Sequence, residues 1–250
     1  MKLGYFVKCP HPEIIEALAI AGADFAVVDM EHTPLGPRDL YPLVLAAEAR
    51  QFKLIVRIPA NEEHYFKWCL DLGINTIQVP HIENKKDIEK ACDAAYFHPK
   101  GSRGLCRFVR AANFSSLDKN NYMSAENHSN KIIFQIEGDI DISSVIHYTG
   151  AYKASVLIGP YDLSQAMGKP GEIWDEVVVH KIEEIISECK AGGVKVGIFT
   201  DTVDGVMFWK ERKIDFIEYG SDLQLLIGAV RNLSFSPLLQ GQTKRDPRRS

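Results

Sequence analysis

The chain has 250 residues, of which 46% are apolar and 25% charged, and its formal net charge is -4 at pH 7. This length is typical of one large α/β domain, and the slight negative charge argues against a nucleic-acid-binding protein. No apolar run approaches the roughly 20 residues that a membrane span requires, which argues against a membrane protein. The five cysteines are an odd number without a C-x-x-C pair, as is typical of reduced thiols in the cytoplasm.

Strand-like runs recur along the chain, with apolar residues at helical spacing between them. The predicted strands are residues 3–7, 25–28, 54–58, 76–79, 132–136, 155–158, 194–199 and 216–219. Eight strands alternating with helices in about 250 residues predict a single (β/α)8 TIM barrel over residues 1–235. A doubly wound sheet is the alternative, but the turn after the first strand lacks its Gly-rich pattern.

Three segments fall outside this alternation. The connections 99–131 and 167–175 are long, and the second contains the glycines and proline of a mobile loop. Residues 236–250 contain a basic run after a Gly/Gln-rich stretch, and we expect a disordered tail or an expression remnant there.

Polar side chains follow several predicted strands at the point where each strand ends. Residues 25–34 read FAVVDMEHTP, so that Glu31 and His32 come directly after an apolar strand. Arg57, Glu137 and Asp162 hold similar places at or just after later strands. Because the carboxyl ends of all barrel strands meet at one mouth, these groups predict an active site there. The alternative for residues 29–32 is a solvated turn whose carboxylates cap the next helix.

The residue types at this predicted mouth suggest roles. Glu137 and Asp162 are a suitable carboxylate pair for Mg²⁺ or Mn²⁺, although each could instead favour the start of the helix that follows. The Arg57 guanidinium suits a carboxylate or a developing oxyanion, or a structural ion pair with Glu31. His32 is the histidine best placed for a base near neutral pH, and His81 is a weaker candidate.

Six short motifs together resemble the HpcH/HpaI aldolase family of class II pyruvate aldolases. They are Asp-x-Glu-His-x-Pro at 29–34, Val-Arg-x-Pro at 56–59, Leu-Asp-x-Gly at 70–73, Pro-x-Gly-x-Arg-Gly at 99–104, Gln-Ile-Glu at 135–137 and Gly-Pro-x-Asp-Leu-Ser at 159–164. The resemblance runs in order from about residue 4 to residue 232. It implies a (β/α)8 barrel, a divalent cation (Mg²⁺, Mn²⁺ or Co²⁺) and a cytoplasmic homo-oligomer, commonly a hexamer built as a trimer of dimers.

The resemblance also assigns roles residue by residue. It implies that Glu137 and Asp162 bind the metal, that Arg57 stabilises an enolate oxygen, and that His32 is the base, with Asp71 as its partner carboxylate. It further implies that the backbone of Gly159, Pro160, Tyr161 and Asp162 binds the pyruvyl carboxylate. From its position at the mouth, Glu31 is a further candidate for substrate binding. Phe199 departs from the family, whose members often have a smaller aliphatic residue there, and we expect it to narrow the aldehyde pocket.

Asp71 presents a geometric difficulty within this set. It ends the helix after the third strand, which places it at the face of a barrel opposite the mouth. Arg103, in a helix-to-strand connection, is in the same position. We therefore expect both either to be structural or to reach the site of a neighbouring subunit.

The reaction that this resemblance implies is reversible cleavage of a 4-hydroxy-2-oxo acid to pyruvate and an aldehyde. The same type of site could serve a citrate-synthase-like Claisen condensation of a siderophore pathway or the decarboxylation of oxaloacetate. No lysine stands in a matching strand-end motif, so a Schiff-base route lacks support. A binding protein without catalytic activity is a further alternative, but the set of five polar strand-end groups argues against it.

Overall fold

The computed structural model describes residues 1–138 and 140–234 as a closed barrel of eight parallel strands. Neighbouring strands pair in chain order and β8 closes on β1. The strands are β1 Lys2–Val7, β2 Phe25–Asp29, β3 Lys53–Arg57, β4 Thr76–Val79, β5 Lys131–Ile136, β6 Ser155–Ile158, β7 Lys195–Thr200 and β8 Phe216–Ser221. The predicted TIM barrel is confirmed, and the predicted tail at 236–250 lies outside the described residues.

The helices surround the barrel. They are α1 Pro12–Ile20, α2 Pro37–Ala49, α3 Glu63–Asp71, α4 Lys85–Ala95, α5 Lys119–Ser129, α6 Ile142–Tyr152, α7 Pro160–Ala166, α8 Glu176–Ala191, α9 Val203–Glu211 and α10 Asp222–Ser234. The long connection after α4 holds a 3-10 helix, Arg110–Ser115, and α5. No helix in the described part of the chain is both long enough and apolar enough to cross a membrane.

The apolar side chains form two main layers, since alternate residues of each strand face opposite sides of the sheet. Outward-facing residues such as Val28 and Val56 pack under the helices in the larger cluster. Inward-facing residues form a smaller cluster inside the barrel: Phe6, Phe25, Val27, Ile55, Ile133 and Leu157, with Phe199 and Phe216 packed against them. This inner cluster supports the residues at the carboxyl ends of the strands.

The predicted strand boundaries differ from the observed ones by one residue at the amino ends of four strands, and by one or two residues at the carboxyl ends of four. Strands β1, β3 and β5 begin one residue earlier than predicted, and β7 begins one residue later. Each of these four strands begins with a lysine: Lys2, Lys53, Lys131 and Lys195. Sequence propensity disfavours lysine in strands. Backbone pairing with the preceding strand nevertheless includes Lys53, Lys131 and Lys195 in the ladder, because register is decided by the closed barrel.

Candidate active site

The carboxyl ends of the strands form an open cavity of about 450 Å³. Its walls include most of the residues that the sequence predicts for the site: His32, Arg57, Gly159, Pro160, Tyr161, Asp162 and Phe199. A second cavity of about 610 Å³ adjoins it, and its walls include Glu137, His81 and again Asp162. The barrel therefore brings together residues that are up to 167 positions apart in the chain, as the parallel arrangement predicts.

Arg57 lies between two carboxylates at the end of β3. Its Nε and Nη2 atoms lie 3.0 Å and 2.9 Å from Oδ1 of Asp29, and its Nη1 lies 3.1 Å from Oε2 of Glu31. The guanidinium also lies 4.6 Å from the centre of the Phe6 ring. The expected ion pair with Glu31 is thus present, and these contacts hold the guanidinium in one orientation beside the cavity.

Asp29 is a site residue to which the sequence analysis assigned no role. It is fully buried, and it accepts hydrogen bonds from Lys8 Nζ at 2.6 Å and from the backbone N–H groups of Glu31 and His32. Burial alone would raise the pKa of Asp29, but Arg57 and Lys8 outweigh it and hold the pKa below its usual value. Asp29 is therefore a carboxylate that orients both Arg57 and the turn carrying His32. The signal in the sequence that could have identified Asp29 was an apolar strand that ends in an acidic residue.

Glu31, His81 and Glu137 form a compact cluster. The His81 ring lies between the two carboxylates, with Nε2 3.1 Å from Glu31 Oε1 and Nδ1 2.7 Å from Glu137 Oε2. The His81 backbone N–H also donates to Glu137 at 3.1 Å. His81 is therefore more central than its weak sequence signal indicated. Its backbone has φ +55°, a conformation that non-glycine residues adopt infrequently.

The donor set of this cluster fits a hard divalent cation. One ligand atom from each of Glu31, His81 and Glu137 lies within 4.8 Å of the others, and Asp162 faces Glu137 across the adjoining cavity. Burial, with the charges of Glu31 and Asp162, raises the pKa of Glu137 despite the hydrogen bond from Gln135 and the charge of His81. A cation would offset this crowding of carboxylates, whose oxygens are the ligands that Mg²⁺ and Mn²⁺ prefer.

A hydrogen-bonded chain of polar side chains crosses the barrel interior beneath the cavity. Gln135 donates to Glu137, and Gln78 Nε2 donates to Gln135 Oε1 at 2.6 Å and to Glu218 Oε2 at 3.3 Å. The sequence analysis did not identify Gln78 or Glu218. The available signal was an ionisable residue at the centre of the apolar strand β8.

Glu218 is fully buried, and burial raises its pKa to about 8. Its ordinary pKa in an unfolded chain is about 4.3, so the folded state binds more protons than the unfolded state between these values. The free energy of unfolding should consequently fall as pH rises from about 5 to about 8. Glu218→Gln should remove this loss and stabilise the protein at pH 8.5, by on the order of 2 kcal/mol, with little gain at pH 5.

Urea denaturation at several pH values would measure this difference. Glu211→Gln is the matched control, because Glu211 lies exposed at the end of α9. The control should keep the pH slope of the wild type. An unchanged slope in Glu218→Gln would show that Glu218 is ionised throughout.

The start of α7 differs in one respect from the predicted carboxylate-binding turn. The Gly159 N–H donates to the Ile136 carbonyl at 3.0 Å, and Pro160 has no N–H, so neither residue can supply a free donor. In the first turn of α7 the N–H groups of Tyr161 and Asp162 are the ones without a partner within the helix. A glycine at position 159 leaves space for the Glu137 side chain, since a Cβ there would lie 3.3 Å from Cγ of Glu137. The donors of the predicted turn would therefore be Tyr161 and Asp162, and its binding of a substrate carboxylate stays a prediction.

Asp71 lies away from the mouth, as its position in the chain indicated. It ends α3, and its Oδ1 lies 2.8 Å from Arg103 Nη2. Arg103 also lies 2.9 Å from Glu126 on α5. Within one chain, Asp71 thus belongs to a buried arginine cluster at the opposite end of the barrel and has no contact with His32.

Comparison with known proteins agrees with this geometry. The family model of the HpcH/HpaI aldolase/citrate lyase family matches residues 2–229. The chain belongs to this family. A 2-dehydro-3,6-dideoxy-6-sulfogluconate aldolase of Pseudomonas putida is 30% identical over 92% of this chain and 90% of its own length. A 5-keto-4-deoxy-D-glucarate aldolase of Salmonella arizonae is 28% identical over 94% of this chain and 91% of its own length.

A solved structure of a family member from Burkholderia cenocepacia J2315 has the same fold. Its TM-score is 0.86 at 29% identity, covering 93% of each chain. The two curated relatives, which are similar over nearly the whole chain, are both named as aldolases. This protein is therefore an enzyme of the lyase type.

Proposed function

We propose that this HpcH/HpaI enzyme is a divalent-metal-dependent aldolase that reversibly cleaves a 4-hydroxy-2-oxo acid to pyruvate and an aldehyde. The observation that carries the proposal is the position of Arg57 and His32 on one cavity, next to the carboxylates Glu137 and Asp162. Cleavage between C3 and C4 requires a base for the 4-hydroxyl proton and a positive group at the enolate oxygen, and these residues have those properties.

Each residue of the chain has one task in this proposal. His32 removes the proton of the 4-hydroxyl group, and the electrons of the C3–C4 bond move toward the C2 carbonyl as the aldehyde leaves. Arg57, oriented by Asp29 and Glu31, donates to the resulting enolate oxygen. The N–H groups of Tyr161 and Asp162 bind the carboxylate of the substrate. Proton return to C3 then gives pyruvate.

The metal would be Mg²⁺, Mn²⁺ or Co²⁺, and Glu137 and Asp162 would hold it. When bound, such a cation supplies Lewis-acid stabilisation of negative charge on the oxo acid. Glu31 and His81 complete the surrounding polar cluster.

The proposed substrates are deoxy sugar acids or compounds of similar chemistry. The printed names of both curated relatives describe aldolases of this class of compound. Lys8 and Gln224 also line the main cavity, beside Arg57, and could bind hydroxyl or acidic groups at the aldehyde end.

A coupled retro-aldol assay tests the proposal directly. Pyruvate released from 4-hydroxy-2-oxo acids of different lengths would be measured with lactate dehydrogenase. Chelation should abolish turnover, and Mn²⁺ or Mg²⁺ should restore it to the wild type but not to Glu137→Gln. Full activity in the chelated enzyme would contradict the proposed dependence on a divalent metal. Oxaloacetate decarboxylation without any aldol cleavage would favour the alternative lyase reaction.

We expect Phe199 to limit the size of the aldehyde. Its ring lies in the cavity, 5.7 Å from the Phe6 ring and 6.2 Å from the Tyr161 ring by their centres. Phe199→Leu should change the ratio of kcat/KM for a large and a small aldehyde by about tenfold. The condensation of pyruvate with two aldehydes of different length would measure this ratio. Trp174→Leu is a matched control, since Trp174 is outside the residues lining this cavity. An unchanged ratio in Phe199→Leu would show that Phe199 does not contact the aldehyde.

We also propose that the enzyme is a cytoplasmic homo-oligomer, as a hexamer formed from three dimers. Its five cysteines are free thiols, as expected in a reducing compartment. The helix α10 exposes four large aliphatic side chains: Leu226, Ile227, Val230 and Leu233 are each more than half exposed. Such a face is typical of a surface that a partner covers. In the assembly, the Asp71 and Arg103 pair would lie near the site of a neighbouring subunit.

A further inference from the structure

The lowest layer of the barrel interior is formed by lysines. Lys2, Lys53, Lys131 and Lys195 are the first residues of β1, β3, β5 and β7. In a TIM barrel, four side chains from alternate strands form one interior layer, which is normally filled by bulky aliphatic groups. All four lysines line one cavity at the amino ends of the strands, opposite the proposed active site.

These four ammonium groups outnumber the carboxylates near them: Asp215 lines the same cavity, and the charge of Glu218 acts on Lys53. Among residues 1–138 and 140–234, none of the four forms an ion pair. Lys153 adds a fifth positive charge to the lining, against one acid, Asp215. The Asp215 carboxylate accepts a hydrogen bond from the Val196 N–H at 3.0 Å, which occupies one of its oxygens. The cavity therefore carries a net positive charge.

The charges of the lysines act on one another. Desolvation, followed by the charges of Lys131, Lys2 and Lys195, lowers the pKa of Lys53 to about 8. The Lys53 ammonium also lies 5.8 Å from the centre of the Phe25 ring. The four lysines are exposed to solvent, which screens part of this repulsion, and an anion bound between them would offset more of it.

The cavity has the size and the closed floor of a ligand site. Its volume is about 780 Å³, within the range of small-molecule pockets. The rings of Phe25 and Phe216 form its apolar floor, in an edge-to-face pair with centres 6.1 Å apart. Glycines provide the space, since a Cβ at Gly4 or Gly197 would collide with one of these rings. The floor separates this cavity from the cavity at the opposite mouth.

We propose that this lysine-lined cavity binds a dianionic phosphoryl group, either as free phosphate or as a small phosphate monoester. Lysine is a compact point charge with three donors, which suits the oxygens of a tetrahedral anion approached from several sides. Among the described residues, the cavity lining contains no arginine, the residue whose planar fork favours a carboxylate. The apolar floor and the volume leave room for an organic group attached to the phosphate.

Isothermal titration calorimetry with the full-length enzyme tests this proposal. The probes are inorganic phosphate and AMP, with adenosine as the uncharged control, at about 0.15 M salt, in the presence of Mg²⁺ and saturating pyruvate. We expect saturable binding of one or both anions and none of adenosine. Tighter binding of AMP than of phosphate would identify a monoester as the ligand, and the reverse order would identify free phosphate.

Variants locate the binding. Lys53→Gln/Lys131→Gln should weaken binding by at least about tenfold, because each charged contact contributes about that factor. Lys210→Gln, an exposed lysine on α9, is the matched control and should bind as the wild type does. Thermal melting without ligand checks folding, and Lys195→Gln gives the same comparison if the double variant is unstable. The absence of saturable binding, or equal binding by the double variant, would overturn the proposal.

Proton uptake gives a second measurement. At pH 8 a bound anion should raise the fraction of Lys53 that is protonated, so the binding heat should depend on the ionisation enthalpy of the buffer. Lys53→Gln should lose this dependence. The charged and titratable groups that face Lys53 or share its cavity are the Met1 amino group, Lys2, Lys131, Lys153, Lys195, Asp215 and, above the floor, Glu218. Proton uptake that persists in Lys53→Gln would assign it to one of these groups, and would contradict the proposed place of Lys53 at the anion.

Discussion

His32→Ala is expected to lower aldol cleavage by roughly 10²–10⁴-fold, the usual contribution of a general base. His32 lines the cavity beside Arg57, and its backbone N–H is held by buried Asp29 at 3.2 Å. The decarboxylation of oxaloacetate and the exchange of the methyl protons of pyruvate need no base for a 4-hydroxyl group. Both partial reactions should therefore survive in His32→Ala to a much greater degree than cleavage does.

The comparison of the two reactions is the decisive measurement for His32. The rates of retro-aldol cleavage and oxaloacetate decarboxylation would be measured on the same preparation of His32→Ala. His180→Ala is the matched control, because His180 lies exposed on α8, paired with Glu184. An equal reduction of both reactions in His32→Ala would make His32 a positioning residue. His81, which contacts Glu31 and Glu137, would then be the next candidate for the base.

Arg57→Lys is expected to lower both reactions by about 10²–10³-fold, since enolate stabilisation is common to them. The substitution keeps the positive charge but loses the planar fork that contacts Asp29 and Glu31 together. A lysine ammonium pairs with one carboxylate at a time, so its direction toward the substrate oxygen is no longer specified. The structure thus predicts that orientation, more than charge, determines the contribution of Arg57.

Steady-state kinetics of both reactions would measure this effect. Arg50→Lys is a suitable control, because Arg50 pairs with Glu16 on the surface at 3.1 Å and should tolerate the exchange. Thermal melting would show whether the buried pair with Asp29 survives in Arg57→Lys. Loss of cleavage alone, with normal decarboxylation, would contradict a role for Arg57 at the enolate.

The resemblance to the family and the geometry of the single chain differ most over Asp71. The motif at 70–73 places this carboxylate with the catalytic residues, whereas the fold places it beside Arg103 at the opposite end of the barrel. Both statements are compatible if subunits meet so that this end of one barrel approaches the mouth of another. The exposed apolar face of α10 is consistent with such an assembly.

The sequence by itself determined the fold and most of the residues at the mouth. Alternation of strands and helices specifies a barrel, and a barrel brings the carboxyl end of every strand to one place. Arg57 and Phe199 could therefore be assigned to one cavity from their positions in β3 and β7. Local pattern was sufficient for these residues because it shows where a strand ends.

Only the tertiary structure decided which of these side chains touch. The hydrogen bond from Gln78 to Glu218 joins residues 140 positions apart, and it depends on the register of strands that close the barrel. The same applies to the His81 ring between Glu31 and Glu137, which requires a left-handed backbone at His81. The four lysines likewise form a single layer only because alternate strands have a common level in the closed sheet. Contacts across a barrel depend on pairing between distant segments, and no local pattern in the sequence carries that information.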